Sequence, residues 1–374
     1  MVALMSPHEG IQKLHPYVPG KSIDALAKEK GLKDIVKLAS NENPLGCSPR
    51  VMERLRALRP EELASYPDPR HHPIIDALAT HLGVSEENLF LCNGSDALFT
   101  LLLNLSCLHQ GKYLLTHAYA FASYVIQAQT YGVDYKVIPL AESLCVNVDD
   151  LIAACNEDTG IIMFANPNNP TGTTIPVSEI ERLLQAVPQS VMVLVDEAYC
   201  EFAYDSQEKS ALSLLKDYPN LLISRTFSKI YGLANVRLGY AIAHPESSAL
   251  LWKVQLPFAL SGIALETGLA ALPDQDFVQE SLALNARSMK DLQATLQGLG
   301  LPVLPSNCNF LTFDCQCSAQ ELNSYLLDRG VIVRPLSGYG LPQHIRVSLG
   351  TEYQNQRFSD SISAFYEEKK NARI

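Results

Sequence analysis

Short apolar runs bounded by glycine, asparagine and proline recur through the middle of the chain, and each is followed by a stretch with helical spacing. The runs are Asn88 to Cys92, Tyr113 to Thr116, Tyr135 to Pro139, Gly160 to Ala165, Val191 to Val195, Leu221 to Ser224 and Leu238 to Ala243. Strands alternating with helices predict an α/β unit built on a seven-stranded, mostly parallel sheet with crossover helices. Upstream, Pro16, Pro19 and Gly20 precede a helical pattern from Ser22 to Lys30 with Ser22 as its N-cap, which reads as an arm and a helix. After about Pro273 a long helical stretch to Leu299 is followed by strand patterns at Asn309 to Asp314, Val331 to Val333 and His344 to Leu349, with helices at Ser318 to Arg329 and at the end. That order predicts a smaller α+β domain whose strands end in Arg334 and Arg346. The expected division is an N-terminal arm and helix at 1–43, a large domain at 44–272 and a small one at 273–374, with the cleft between the last two as the default ligand site.

Composition narrows the classes. The chain has 374 residues, 47% of them hydrophobic, enough for a large core. A formal charge of -11 argues against a nucleic-acid surface and a polybasic membrane anchor, so any anion must be held by local arginines. Nine cysteines without regular spacing describe no disulfide framework and point to a reducing cytosol, and the lone Cys315-x-Cys317 pair does not make a metal site. The N-terminus reads as too short and uncharged for a signal peptide, and Ala97 to Leu108 as too short for a membrane span.

Chemistry collects at the strand ends. Lys229 follows the run ending at Ser224, flanked by Phe227, Ser228 and Ile230; burial there would lower its pKa and free its amine to attack a carbonyl. Taken alone, a plain lysine at a strand-to-helix junction fits as well. Cys92-Asn93-Gly94-Ser95-Asp96 is a strand, a glycine turn and a helix start, where free N–H groups suit a phosphate, although Ser95 or Asp96 as a simple cap also fits. Asn169 lies in the turn after Gly160 to Ala165, Asp196 and Tyr199 follow Val191 to Val195, and Arg237 stands eight positions beyond Lys229. Parallel sheets bind ligands at this edge. Phosphate donors, an amide, a carboxylate, a lysine and an arginine together match pyridoxal phosphate, whose aldehyde needs a lysine, whose ring nitrogen needs a carboxylate and whose phosphate needs an anion site.

Seven stretches carry a resemblance: PYVPGK at Pro16 to Lys21, KLASNENPLG at Lys37 to Gly46, YPDP at Tyr66 to Pro69, NPNNPTG at Asn166 to Gly172, DEAYCEF at Asp196 to Phe202, RTFSK at Arg225 to Lys229 and HIRVSLGT at His344 to Thr351. In order and character they resemble the fold-type I aminotransferases, and within them the histidinol-phosphate aminotransferase family, over nearly the whole chain. The resemblance implies a cytoplasmic homodimer that uses pyridoxal 5'-phosphate to exchange an amino group between histidinol phosphate and glutamate/2-oxoglutarate. An aromatic amino acid aminotransferase or a threonine-phosphate decarboxylase is the alternative. It implies that Lys229 forms the Schiff base and moves the substrate proton, that Asp196 holds the pyridinium, and that Asn169 and Tyr199 bind the ring oxygen. Arg237, Ser228, Thr226 and the backbone at Ser95 and Asp96 would hold the phosphate, with Tyr66 reaching it from the neighbouring subunit. Phe121 would stack on the ring, with Tyr119 as its rival, because this chain has Tyr119-Ala120 where the family usually has proline-threonine. Arg346 would receive the substrate carboxylate or phosphate, helped by Tyr17, Asn43 and Arg334. His71-His72 reads as an exposed turn pair, and Cys200 as structural.

Overall fold

The computed structural model describes residues 6–14, 21–140, 143–204 and 209–372. In chain order the strands are β1 (Val36–Lys37), β2 (Leu89–Cys92), β3 (Tyr113–His117), β4 (Tyr135–Ile138), β5 (Thr159–Ala165) and β6 (Met192–Asp196). They continue with β7 (Leu221–Thr226), β8 (Gly239–Ala243), β9 (Phe310–Asp314), β10 (Val331–Ile332), β11 (Arg334–Pro335) and β12 (His344–Ser348). All seven predicted runs join one sheet in the order β2-β8-β7-β6-β5-β3-β4, in which only β8 runs antiparallel to its neighbours. This is the α/β architecture expected.

The central runs are largely apolar because both faces of the sheet are covered there, whereas β4 at the edge exposes Tyr135, Lys136 and Val137. Along β5, Ile162 and Phe164 enter the core on one face while Ile161 and Met163 enter the core on the other, and Val193 and Val195 alternate with Leu194 along β6 in the same way. Period-two alternation in a doubly covered sheet puts apolar side chains on both sides. A third core gathers Leu292 and Leu296 of the long helix Gln275–Gly298 against Leu311, Phe313, Ile345 and Val347 of the three-stranded sheet β11-β12-β9.

At the other end, Ser22 caps the helix Ile23–Lys30, its hydroxyl accepting from the Ala25 N–H at 3.1 Å. The chain then pairs β1 in parallel with β10, so the segment before Leu38 is tied to strands three hundred residues away. The next turn packs against the loop after Lys229. Gly232 has φ +69°, and a side chain there would collide with the Gly46 carbonyl, so glycine allows the two backbones to meet.

Two expectations need correction. Arg346 lies in the middle of β12 and Arg334 begins β11, rather than both ending strands; they are direct partners across the ladder, so the two side chains leave the same face. His71 is exposed beside Asp68, but His72 is largely buried, its Nε2 3.2 Å from Glu266, and ties the segment to the helix Gly262–Ala271. No helix among the described residues is long and apolar enough to cross a membrane.

Candidate active site

A cavity of about 140 Å³ opens at the carboxyl ends of β5, β6 and β7, lined by Ser95, Asp96, Phe121, Asn169, Asp196, Tyr199, Thr226, Ser228, Lys229 and Arg237 among others. Ten of the residues singled out from the sequence therefore share one pocket. Phe121 lines it, held edge-on against Phe99 and Tyr124; Tyr119 is not among the lining residues.

Lys229 sits at the centre. Its Nζ donates to the Ser40 carbonyl at 3.3 Å and lies 5.6 Å from the Tyr199 ring. Burial, reinforced by the charges of Arg346 and Arg237, lowers its pKa to about 8. At pH 7 roughly one molecule in ten then carries a free amine, against about one in 2,500 for an ordinary lysine.

Asp196 ends β6 and is buried. Ser224 Oγ, its neighbour across the ladder, donates to Oδ1 at 2.7 Å, and the fully buried Tyr124 hydroxyl donates to Oδ2 at 2.9 Å. Burial pushes the carboxyl up to about 6 while these two donors pull it back. The adjacent Glu197 faces the other side of the chain, where it accepts from Arg225 Nε at 3.0 Å and Nη2 at 2.8 Å, from Ser210 Oγ and from the Ala211 N–H. Alternation along the strand thus assigns one carboxylate to the pocket and the other to a buried ion pair.

The opposite end of the pocket is built for an anion. The helix Ser95–Ser106 begins after Gly94, so the N–H groups of its first turn lack helical partners, and Arg237 enters beside them, 3.4 Å from Ser228 Oγ and 3.7 Å from Asp96 Oδ2. Gly94 has φ +73°, and a side chain there would strike the Arg237 guanidinium. Gly94→Ala is expected to displace Arg237 and raise the dissociation constant for a phosphorylated cofactor about tenfold, the loss of a charged hydrogen bond, as measured by equilibrium dialysis. Unchanged affinity would remove Arg237 from the anion site.

Arg346 approaches from β12, 93% buried. Its Nη1 donates to Asn169 Oδ1, its Nη2 donates to the Ala39 carbonyl at 2.7 Å, and its Nε has no partner among the described residues. A buried guanidinium with an unused N–H, beside Arg334 on the same sheet face, is suited to a carboxylate or phosphate. Asn43 lies elsewhere: its amide donates to the Ile230 carbonyl and to Ser281 Oγ, and it fixes the turn instead of lining this pocket. Tyr66 is 79% exposed, stacked on Phe258 at 4.1 Å, outside this chain's own pocket. Tyr17 lies outside the described residues. Cys200 is buried, with its thiol pushed well up by burial.

Sequence reasoning assigned no role to Asn41, Tyr124 and Ser224, nor to the carbonyls of Ala39 and Ser40. Asn41 stood inside a stretch already singled out, but Tyr124 and the strand register that brings Ser224 beside Asp196 had no local signal. The chemistry of the donor set fits one kind of group: a neutral amine for an aldehyde, a buried carboxylate for a ring cation, an amide and a phenol for a ring oxygen, an aromatic wall, and an anion cradle that only a glycine leaves open.

Residues 33–362 match the family model for aminotransferase class I and II. A histidinol-phosphate aminotransferase of Legionella pneumophila (strain Lens) is 50% identical over 360 residues, covering 96% of this chain and 98% of that protein, and one from Nitrosococcus oceani is 40% identical over 361 residues, 96% of each. Among solved structures, the histidinol-phosphate aminotransferase of Sinorhizobium meliloti in complex with pyridoxal-5'-phosphate superposes with a TM-score of 0.85 at 28% identity, over 97% of this chain and 99% of that one. With the fold, the pocket and these likenesses together, the chain belongs to the class I and II aminotransferases of fold type I, in the family of the histidinol-phosphate aminotransferases.

Proposed function

We propose that this protein is a pyridoxal-phosphate-dependent transaminase that interconverts L-histidinol phosphate and 2-oxoglutarate with imidazole acetol phosphate and L-glutamate in histidine biosynthesis. The observation that carries the reading is Lys229, a buried amine with its pKa lowered to about 8, facing Asp196 and Tyr199 in one pocket. When bound, pyridoxal phosphate supplies an aldehyde for amines and a cationic ring that accepts electrons released at the substrate Cα.

The chain's own residues do the rest. Lys229 Nζ would hold the cofactor at its aldehyde carbon and would carry the proton at the substrate Cα. Asp196 holds the ring nitrogen protonated, Asn169 and Tyr199 donate to the ring oxygen, and Phe121 packs on the ring face. Arg237, Ser228, Thr226 and the backbone at Ser95 and Asp96 bind the phosphate. Arg346, with Arg334, accepts the carboxylate of glutamate in one half-reaction and the phosphate of histidinol phosphate in the other; a planar fork serves both anions. Support for its readiness comes from its unused Nε and from the exchangeable carbonyl of Ala39.

The reading extends to a cytoplasmic homodimer in which the exposed Tyr66 reaches the partner's phosphate site, and to the division into 1–43, 44–272 and 273–374. The helix-linked core around Leu292 and Leu296 supports that last boundary, and the stacked, exposed Tyr66 and Phe258 support the dimer. To test the anchor, the apoprotein is mixed with pyridoxal phosphate, reduced with borohydride and digested. The pyridoxyl mass is expected on Lys229, with a capture rate that rises with pH through a midpoint near 8, where the amine loses its proton. A label on another lysine would sink the assignment.

A further inference from the structure

The Tyr199 hydroxyl has one proton to give, and the structure determines where that proton can go. Tyr199 is buried, its ring fixed edge-on against Phe310 at 5.4 Å and 81°. Asn41 Nδ2 donates to its oxygen at 2.9 Å. The other end of that amide meets Ser348 on β12. Ser348 Oγ accepts the Asn41 backbone N–H at 2.9 Å, so its own proton is free to be given to Asn41 Oδ1, also at 2.9 Å. With Oδ1 accepting from Ser348, Nδ2 faces Tyr199. Asn309 Nδ2 donates to the Asn41 carbonyl at 3.0 Å and locks the residue from a third side. Asn41 holds φ +56°, a left-handed conformation that asparagine and aspartate tolerate better than most side chains.

A phenol that already accepts from an amide and donates to no group among the described residues has its proton left for the pocket. We propose that Asn41 is a positioning residue: it turns the Tyr199 hydroxyl into an obligatory donor aimed at the cofactor's ring oxygen. This rests on the reading of the pocket as a pyridoxal phosphate site. It also links Ser348, on the same strand as Arg346, to the cofactor's electronics through Asn41 and Tyr199. Removing the donor leaves the anionic ring oxygen more basic, so the bound cofactor keeps its proton to higher pH.

Asn41→Asp tests the assignment. The side chain keeps its shape and its tolerance of positive φ, but a carboxylate oxygen replaces Nδ2 and takes the Tyr199 proton for itself. Two quantities are measured: the ratio of dissociation constants of the apoprotein for 3-deoxypyridoxal phosphate and for pyridoxal phosphate, and the pH midpoint of the bound cofactor's visible absorption. Wild type is expected to prefer the hydroxylated cofactor by about tenfold or more, the worth of a hydrogen bond to a charged oxygen. Asn41→Asp and Tyr199→Phe are each expected to cut that preference several-fold, down to the part that Asn169 sustains, and raise the midpoint by about one unit, and the double variant to do no more than Tyr199→Phe alone. If Asn41→Asp weakens both cofactors equally and leaves the midpoint unmoved, Asn41 is merely structural and the inference falls. Should that variant fail to fold, Ser348→Ala, which frees the amide, is expected to shift both quantities the same way by less, and no shift there overturns the inference too. A wild-type apoprotein that binds neither cofactor would instead overturn the reading of the pocket itself.

Discussion

Lys229→Ala is expected to leave a folded protein whose turnover is reduced by at least about 10⁴-fold, the upper range for removal of a positioned general base, with the covalent anchor lost as well. The side chain lies half-buried at the pocket wall, and its hydrogen bond to the Ser40 carbonyl, at 3.3 Å, is long. Its truncation therefore removes chemistry without a large packing loss. The pKa argument sharpens this. Because the folded state holds the lysine near 8 while the unfolded chain holds it near 10.4, the unfolded state binds more protons between those values. Through that window the lysine's contribution to stability rises with pH, and below it the buried ammonium opposes folding. The alanine variant is expected to lose this pH-dependent component of the apoprotein's stability, read as the difference in melting temperature between pH 7 and pH 10. Lys229→Arg places a permanent cation at the same point and is expected to be as inactive, since guanidinium does not give up its proton. Either variant retaining more than a tenth of wild-type turnover would remove Lys229 from the chemistry.

The second large effect belongs to Asp196→Asn. The carboxylate is isolated from other counter-charges and supported by two neutral hydroxyls, so its charge is aimed at what the pocket holds. An amide keeps the shape but supplies no charge, and one of its ends meets a hydroxyl with a donor instead of an acceptor. A fall in kcat/KM of roughly 10²–10³ is expected, the scale for removing preorganised electrostatic support. The sign of the pH effect follows from burial. Without a cation opposite, the carboxyl is pushed up to about 6, so the apoprotein holds a proton there below that pH; facing a ring cation, it releases the proton. Cofactor affinity in wild type should therefore fall as pH drops through about 6, whereas the asparagine variant should lack that slope. A wild-type affinity flat from pH 5 to 7 would contradict the pairing.

The strands at the centre of the seven-stranded sheet were legible because burial on both faces makes each run largely apolar, a signal local to the run, and the exposed edge strand β4 by its β-branched and aromatic residues between turns. β1 and β11 were not, since each is two residues long and exists through its partner rather than its own pattern. Within the site, Lys229, Asp196, Asn169, Tyr199 and Arg237 could be read because strand ends concentrate functional side chains and their motifs stand together. Ser224 and Asn41 could not be placed from the sequence. Ser224 acts through the register between β6 and β7, and Asn41 through contacts with Tyr199, Ser348 and Asn309, all more than 150 positions away. Asn43 shows the reverse case: a motif residue expected at the substrate proved to be holding a turn.

The substrate assignment is tested most directly by kcat/KM for amino transfer to 2-oxoglutarate, with L-histidinol phosphate and L-phenylalanine compared side by side. Histidinol phosphate is expected to be preferred by at least about 10²-fold: both the phosphate and the carboxylate of phenylalanine can reach Arg346, so the difference rests on the second negative charge of the phosphate and on the imidazole N–H, which a phenyl ring lacks. Phenylalanine outrunning histidinol phosphate would contradict the assignment and leave an aromatic amino acid aminotransferase in its place.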